Sequence, residues 1–196
     1  MKNVILLGEE DRPAPGDLRF VQGLLNTLDV SKGSDVLGDT AQATDWLRRF
    51  GLLAPDTDIA EQDAERLRQF REAVRAVIEH GEDGDSVADA IMAVNTLTAG
   101  VALGVSFAPG GSVELHNRSS GIDGAIGTLL VAIAEAHAHG TWQRLKICGR
   151  DSCRWAFYDS SRNRSSNWCS MEVCGNREKV ARHRHKAAAE EAAVPT

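Results

Sequence analysis

The chain has 196 residues and a mass of 21.1 kDa, with 42% hydrophobic and 26% charged residues and five Pro. That is room for one ordinary domain and a small appended module, in a composition that folds rather than stays disordered. The longest apolar stretches, such as Ile126 to Ala134, fall short of the ~20 residues of a spanning helix, and the apolar run near Met1 is too short for a signal peptide, so a cytoplasmic protein without a membrane span is expected.

The net charge of −6 conceals two parts of opposite sign. Residues 1–143 hold 11 Lys and Arg against 22 Asp and Glu, whereas residues 144–186 hold 11 against 4. All four cysteines lie in the basic part. Charge and chemistry therefore change together, and the boundary is placed near Thr141.

In the acidic part, apolar residues recur at helical spacing. Asp17 to Leu28 puts Leu18, Val21, Leu24, Leu25 and Leu28 on one face, with Asp17 placed to cap the first turn. A second helix from Asp39 or Thr40 to Phe50 gathers Trp46, Leu47 and Phe50 and stops at Gly51. A longer one, from about Ile59 to Glu79, carries Leu67, Phe70, Val74, Val77 and Ile78 as its stripe, and its many Glu and Arg residues read as a solvated face. Ser86 to Thr98 repeats the pattern. The period then becomes alternating through Val101, Leu103, Val105 and Phe107, turns at Ala108 to Gly111, and resumes at Val113 and Leu115, which predicts a β-hairpin. Ile122 to His139 returns to a helix with Gly140 at its end. The expected fold is mainly α with a small β-hairpin.

Beyond the boundary, Cys148-Gly-Arg-Asp-Ser-Cys153 and Cys169-Ser-Met-Glu-Val-Cys174 form two equally spaced pairs. Two thiolates on one short loop reach a common ion, and two such knuckles complete a tetrahedron, so Cys148, Cys153, Cys169 and Cys174 are the expected ligands of one structural Zn(2+). Iron would also accept soft thiolates, and two disulfides or four free buried thiols are the bland alternatives, which a reducing compartment disfavours. About forty residues surround the site, too few to bury much apolar surface, so metal binding should supply much of the folding free energy there. Trp155, Phe157 and Trp168 are expected over the site, with Tyr158 either core or exposed. Asp159, Ser160, Ser161, Asn163 and Asn167 suit tight turns.

From Glu172 onward the chain reads as a basic helix. Arg177 and Arg184 fall on one face, Lys179 and Arg182 on the next, and Arg162 and Arg164 stand in the preceding loop. This is the pattern of phosphate contacts to DNA; the alternative is a solvated basic helix that balances the acidic part. His183 and His185 would assist the basic face.

These residues carry a resemblance. Cys174-Gly175-Asn176-Arg177, preceded by Asp159-Ser160-Ser161-Arg162-Asn163 and Trp168-Cys169-Ser170-Met171, resembles the CGNR zinc finger family. Leu25-Asn26-Thr27, Trp46-Leu47, Gly51-Leu52-Leu53 and Arg71-Glu72-Ala73-Val74-Arg75 are similar to the ABATE domain that commonly precedes this finger in bacterial proteins. The resemblance implies a stress-induced transcriptional regulator with an ABATE sensor or assembly domain over residues 1–141. It implies a treble-type zinc module over 142–188 that binds DNA, then a flexible tail over 189–196. Where many relatives are more basic before the Trp-Cys step, this chain has Ser165-Ser166-Asn167. The effector of the larger domain, small molecule or protein, has no signature, and a homodimer would suit a palindromic operator. The other reading is a zinc-stabilised module that binds a protein or RNA. An enzyme is not expected: no nucleophile with its base and no phosphate loop is visible, and a four-thiolate zinc has no position left for water.

Overall fold

The computed structural model describes residues 12–81 and 84–181, with side chains throughout except at 84–86. Arg182, Arg184, His183, His185 and the tail 189–196 lie outside the described residues. Helix α1 (Leu18–Leu25) buries Leu18, Val21, Leu24 and Leu25 as its spacing predicts. Asp17 precedes it in helical conformation, so its side chain does not reach the free N–H groups and caps nothing. Leu28 leaves the helix to pair in a two-residue strand, β1 (Leu28–Asp29), with β2 (Ser34–Asp35).

Helix α2 (Thr40–Arg49) is capped by Asp39, which accepts from the Gln42 N–H at 2.9 Å. Helices α3 (Glu61–His80) and α4 (Gly84–Thr98) pack against each other. Strands β3 (Leu103–Phe107) and β4 (Val113–Asn117) form the expected antiparallel hairpin, yet its alternating apolar side chains point outward, leaving Phe107 76% exposed. Helix α5 (Gly121–Ala138) runs through the core, with Ala125, Ile126, Leu129 and Ala132 buried. By length and composition α5 could cross a membrane, contrary to the expectation drawn from Ile126 to Ala134, but its apolarity is used against α1 and α3.

After a 3-10 turn at Trp142–Arg144, β5 (Leu145–Ile147) pairs with β6 (Ala156–Tyr158). Leu145 and Ala156 belong to the same apolar core as α1, α3 and α5, which therefore continues across Thr141. A second, smaller cluster forms around Phe157, Cys148 and Cys174. A π-turn at Met171–Gly175 leads into helical residues 176–181.

Two buried arginines bind these layers. The solvated face expected of α3 is only partly solvated: Arg71 and Arg75 are 3% and 1% exposed. Arg71 grips Asp35 through two nitrogens at 2.6 and 2.8 Å and also reaches Thr27 and Glu72. Arg75 donates to the Leu25 carbonyl at 2.6 Å and the Arg154 carbonyl at 2.7 Å, tying α1, α3 and the cysteine region together. A guanidinium stays charged even where burial pulls its pKa down, as at Arg75, because its fixed fork satisfies several acceptors at once.

Candidate metal centre

The β5–β6 hairpin aims both arms of the first knuckle. Cys148 follows β5 directly, and its N–H bonds to the Trp155 carbonyl at 2.9 Å. The Cys153 N–H closes back on the Arg150 carbonyl at 2.8 Å, and Arg154 then takes a left-handed φ of 52°. The second knuckle begins at Cys169, where Ser170 accepts from the Val173 N–H and its carbonyl accepts from Cys174. Trp155, Phe157 and Trp168 pack around the sulfurs, as the sequence predicts, while Tyr158 packs partly on the main core.

All four Sγ atoms lie within 4.8 Å of one another, and the Cys153–Cys169 and Cys169–Cys174 separations are 3.7 Å. A tetrahedron with ligands ~2.3 Å from its centre has edges of about 3.8 Å, whereas a disulfide draws its sulfurs to ~2.05 Å. The spacing fits a shared ion and not two disulfides, and all four cysteines are free thiols. Charge leads to the same place. Hydrogen bonds from Cys153 and Cys169 pull the Cys148 thiol far down, with backbone N–H groups of Cys169 and Arg150 adding to this. The same contacts push Cys153 and Cys169 up. One thiolate is thus stabilised at the expense of its neighbours, and only a central cation lets all four ionise together.

The four residues Cys174-Gly175-Asn176-Arg177 divide their work. Cys174 supplies a sulfur. A side chain on Gly175 would stand 2.5 Å from Met171 Sδ and 3.2 Å from Trp168 Cδ1, so any larger residue there requires the Met171 side chain to move. Asn176 donates to the Glu172 carbonyl at 3.0 Å and holds the π-turn. Arg177 is left facing solvent.

Of the expected cationic residues, Arg162, Arg164, Arg177 and Lys179 are exposed and make no ion pair with a described residue. Arg182 and Arg184 lie outside the described residues. Lys146, Arg154 and Arg144 of the same region are engaged within the fold instead: Lys146 by Asp159, Arg154 by Glu79 at 2.7 Å, and Arg144 by the Asp159 and Ser161 carbonyls.

Asp159 makes the expected turn contact to the Ser161 N–H and is also the centre of an inward network. Fully buried, it accepts from Lys146 Nζ at 2.8 Å, Arg12 Nη2 at 3.1 Å, and the Ser161 and Ser166 N–H groups. Burial alone would raise its pKa, but the hydrogen bonds from Lys146, Ser161 and Ser166 outweigh this and hold it well below the usual carboxylate range. Arg12 also donates to the Trp168 carbonyl and Ser166 Oγ, and its guanidinium lies 4.7 Å from the centre of the Phe157 ring. Ser166, within Ser165-Ser166-Asn167, is thereby committed to structure. Gln22 of α1 and Asn26 just after it complete the seam, both donating to the Ala156 carbonyl while Asn26 accepts the Ala156 N–H at 2.8 Å. The signal for Asp159 lay in its own motif stretch. Arg12 had none, because its partner is 147 residues away.

Residues 18–140 match the ABATE family, described as "Putative stress-induced transcription regulator", and residues 144–187 match the CGNR zinc finger. No curated protein matches the chain significantly.

Proposed function

The chain belongs to the ABATE family and ends in a CGNR zinc finger, and from that premise we propose that it is a transcriptional regulator whose finger, closed on one zinc ion, binds DNA. Residues 142–188 act as the DNA-binding end, 189–196 as a flexible tail, and 1–141 as the domain that senses an effector, in a cytoplasmic protein without enzymatic activity that pairs into a homodimer on a palindromic site. The single observation that carries DNA binding is the outward set Arg162, Arg164, Arg177 and Lys179, exposed and without ion pairs to described residues. Zinc holds the surface that displays them, and Arg182 and Arg184 extend it along the sequence.

The test is a salt-titrated DNA-binding assay on metal-analysed protein, before and after chelation. One zinc per chain is expected, with log affinity falling linearly in log salt at a slope of about −0.9 for each phosphate contacted, and binding lost with the metal. Zinc without salt-dependent binding rejects the reading.

A second reading is favoured by Met171, Val173 and Val180, all about half exposed on the terminal helical stretch. Apolar side chains there suit a protein partner, or an RNA held without sequence-specific DNA contacts, with the zinc purely structural. Replacing Met171 and Val180 by Ser separates the two: DNA affinity is untouched under the first reading, and partner binding is lost under the second.

A further inference from the structure

Between α3, α4 and α5 the body leaves a cavity of about 140 Å3. Its floor is apolar, built from Val77, Leu130 and Ile133, and the buried Trp142 closes its inner end. Polar groups occur only at its mouth, where Asn95 and His137 are exposed. The His137 ring stacks on Trp142 with centroids 5.1 Å apart, and neither the Asn95 amide nor the His137 ring nitrogens has a hydrogen-bond partner among the described residues.

We propose that this cavity is a small-molecule site for a single aromatic ring carrying one hydrogen-bonding substituent. Size selects the class: an apolar cavity of ~150 Å3 accepts benzene, whereas a helix ~10 Å across does not enter. The lining selects the chemistry, since an apolar floor excludes a charged guest and an indole in the wall favours an aromatic one. Asn95 and His137 meet a hydroxyl or amine at the mouth.

The floor also connects to the metal centre. Val77 lies on α3 between Arg75, which donates to the Arg154 carbonyl, and Glu79, which pairs with the Arg154 guanidinium. Trp142 opens the short turn into β5, which Cys148 follows directly. A guest therefore rests on the two stretches that hold the first knuckle. That the cavity serves as an effector site rests on the regulator reading above; that it binds such a ring does not.

The test uses the full zinc-loaded chain with phenol as the probe, followed by amide and indole N–H resonances, with DNA binding measured on the same samples. Wild type is expected to saturate with shifts at Trp142 and α4 and a Kd of about millimolar. Ile133→Phe fills the floor and weakens binding at least about tenfold, and Asn95→Ala, at an exposed position that leaves folding intact, weakens it roughly threefold to tenfold. The proposal is overturned by absence of saturation in wild type, by affinity unchanged in Asn95→Ala and any folded Ile133→Phe, or by sedimentation that shows a dimer which Ile91→Glu at the cavity rim dissociates. Phenol binding without DNA binding upholds the cavity and rejects the regulator; DNA binding without phenol binding does the reverse.

Discussion

The cations of the helical body and those of the outer finger use the same chemistry for opposite ends. In the body, Arg66 pairs with Asp123 at 2.7 Å, Arg68 bridges Glu61 and Glu65, and Arg48 holds Asp58 at 2.8 Å. Arg71 and Arg75 go further and disappear into the core. In the finger, the inner cations Lys146 and Arg154 are paired in the same manner, while Arg162, Arg164, Arg177 and Lys179 face outward without ion pairs to described residues. Net charge by segment therefore says little about the surface, because what matters is which cations have already been neutralised within the fold.

The comparison breaks most completely at the metal. Cys169→Ser should abolish stoichiometric zinc, because structural zinc contributes on the order of 10 kcal/mol to small modules. Elemental analysis and amide exchange would show loss of metal and of protection over 145–175, with α5 still protected. Protection of that region retained without metal would mean that packing on the body alone suffices. Lowering the pH acts in the same direction, since the thiols must lose their protons to bind metal and affinity falls as the thiolates regain them.

Next comes the inner cation. Arg75→Met strands the Leu25 and Arg154 carbonyls and should cost about 3 kcal/mol, lowering the melting temperature by roughly 6–12 °C. An unchanged melt would mean that this seam contributes nothing. Asp159→Asn should cost less, about 2 kcal/mol, and its pH dependence has a definite sign. The folded carboxyl lies below its ordinary value, so its stabilisation is full above the unfolded pKa of about 4 and fades as pH falls further. The gap in denaturant midpoint between wild type and variant should hold steady from pH 7 to 5 and narrow below 4. A gap that widened in acid would assign the effect elsewhere. The smallest effect on stability belongs to the outer cation: Arg177→Ala should leave the melt unchanged while reducing the salt slope of DNA binding by ~0.9.

Much of this was legible in the sequence because it is local. Helical periodicity located α1, α2, α3 and α5, and equal cysteine spacing brought four sulfurs to within 4.8 Å of one another. The differences arise at one cap and where a local rule meets a distant partner. Asp17 has the chemistry of a cap, but its backbone is already helical. Arg71 and Arg75 fall among solvated charges by pattern and are buried because Asp35, Leu25 and Arg154 come to meet them. The β3–β4 hairpin forms where its alternation predicts it, with Val105 and Phe107 exposed. Alternation specifies two faces without saying which one the core takes.

The seam also bears on what can be cut from this protein. A fragment beginning at Thr141 would expose the carbonyls of Ala156 and Arg154 that Asn26 and Arg75 now satisfy, and would remove Arg12 from Asp159. The finger is thus no transplantable cassette. A graft that keeps its geometry must carry α1, α3 and the arginine that precedes them both, so the smallest portable unit is nearly the described chain itself.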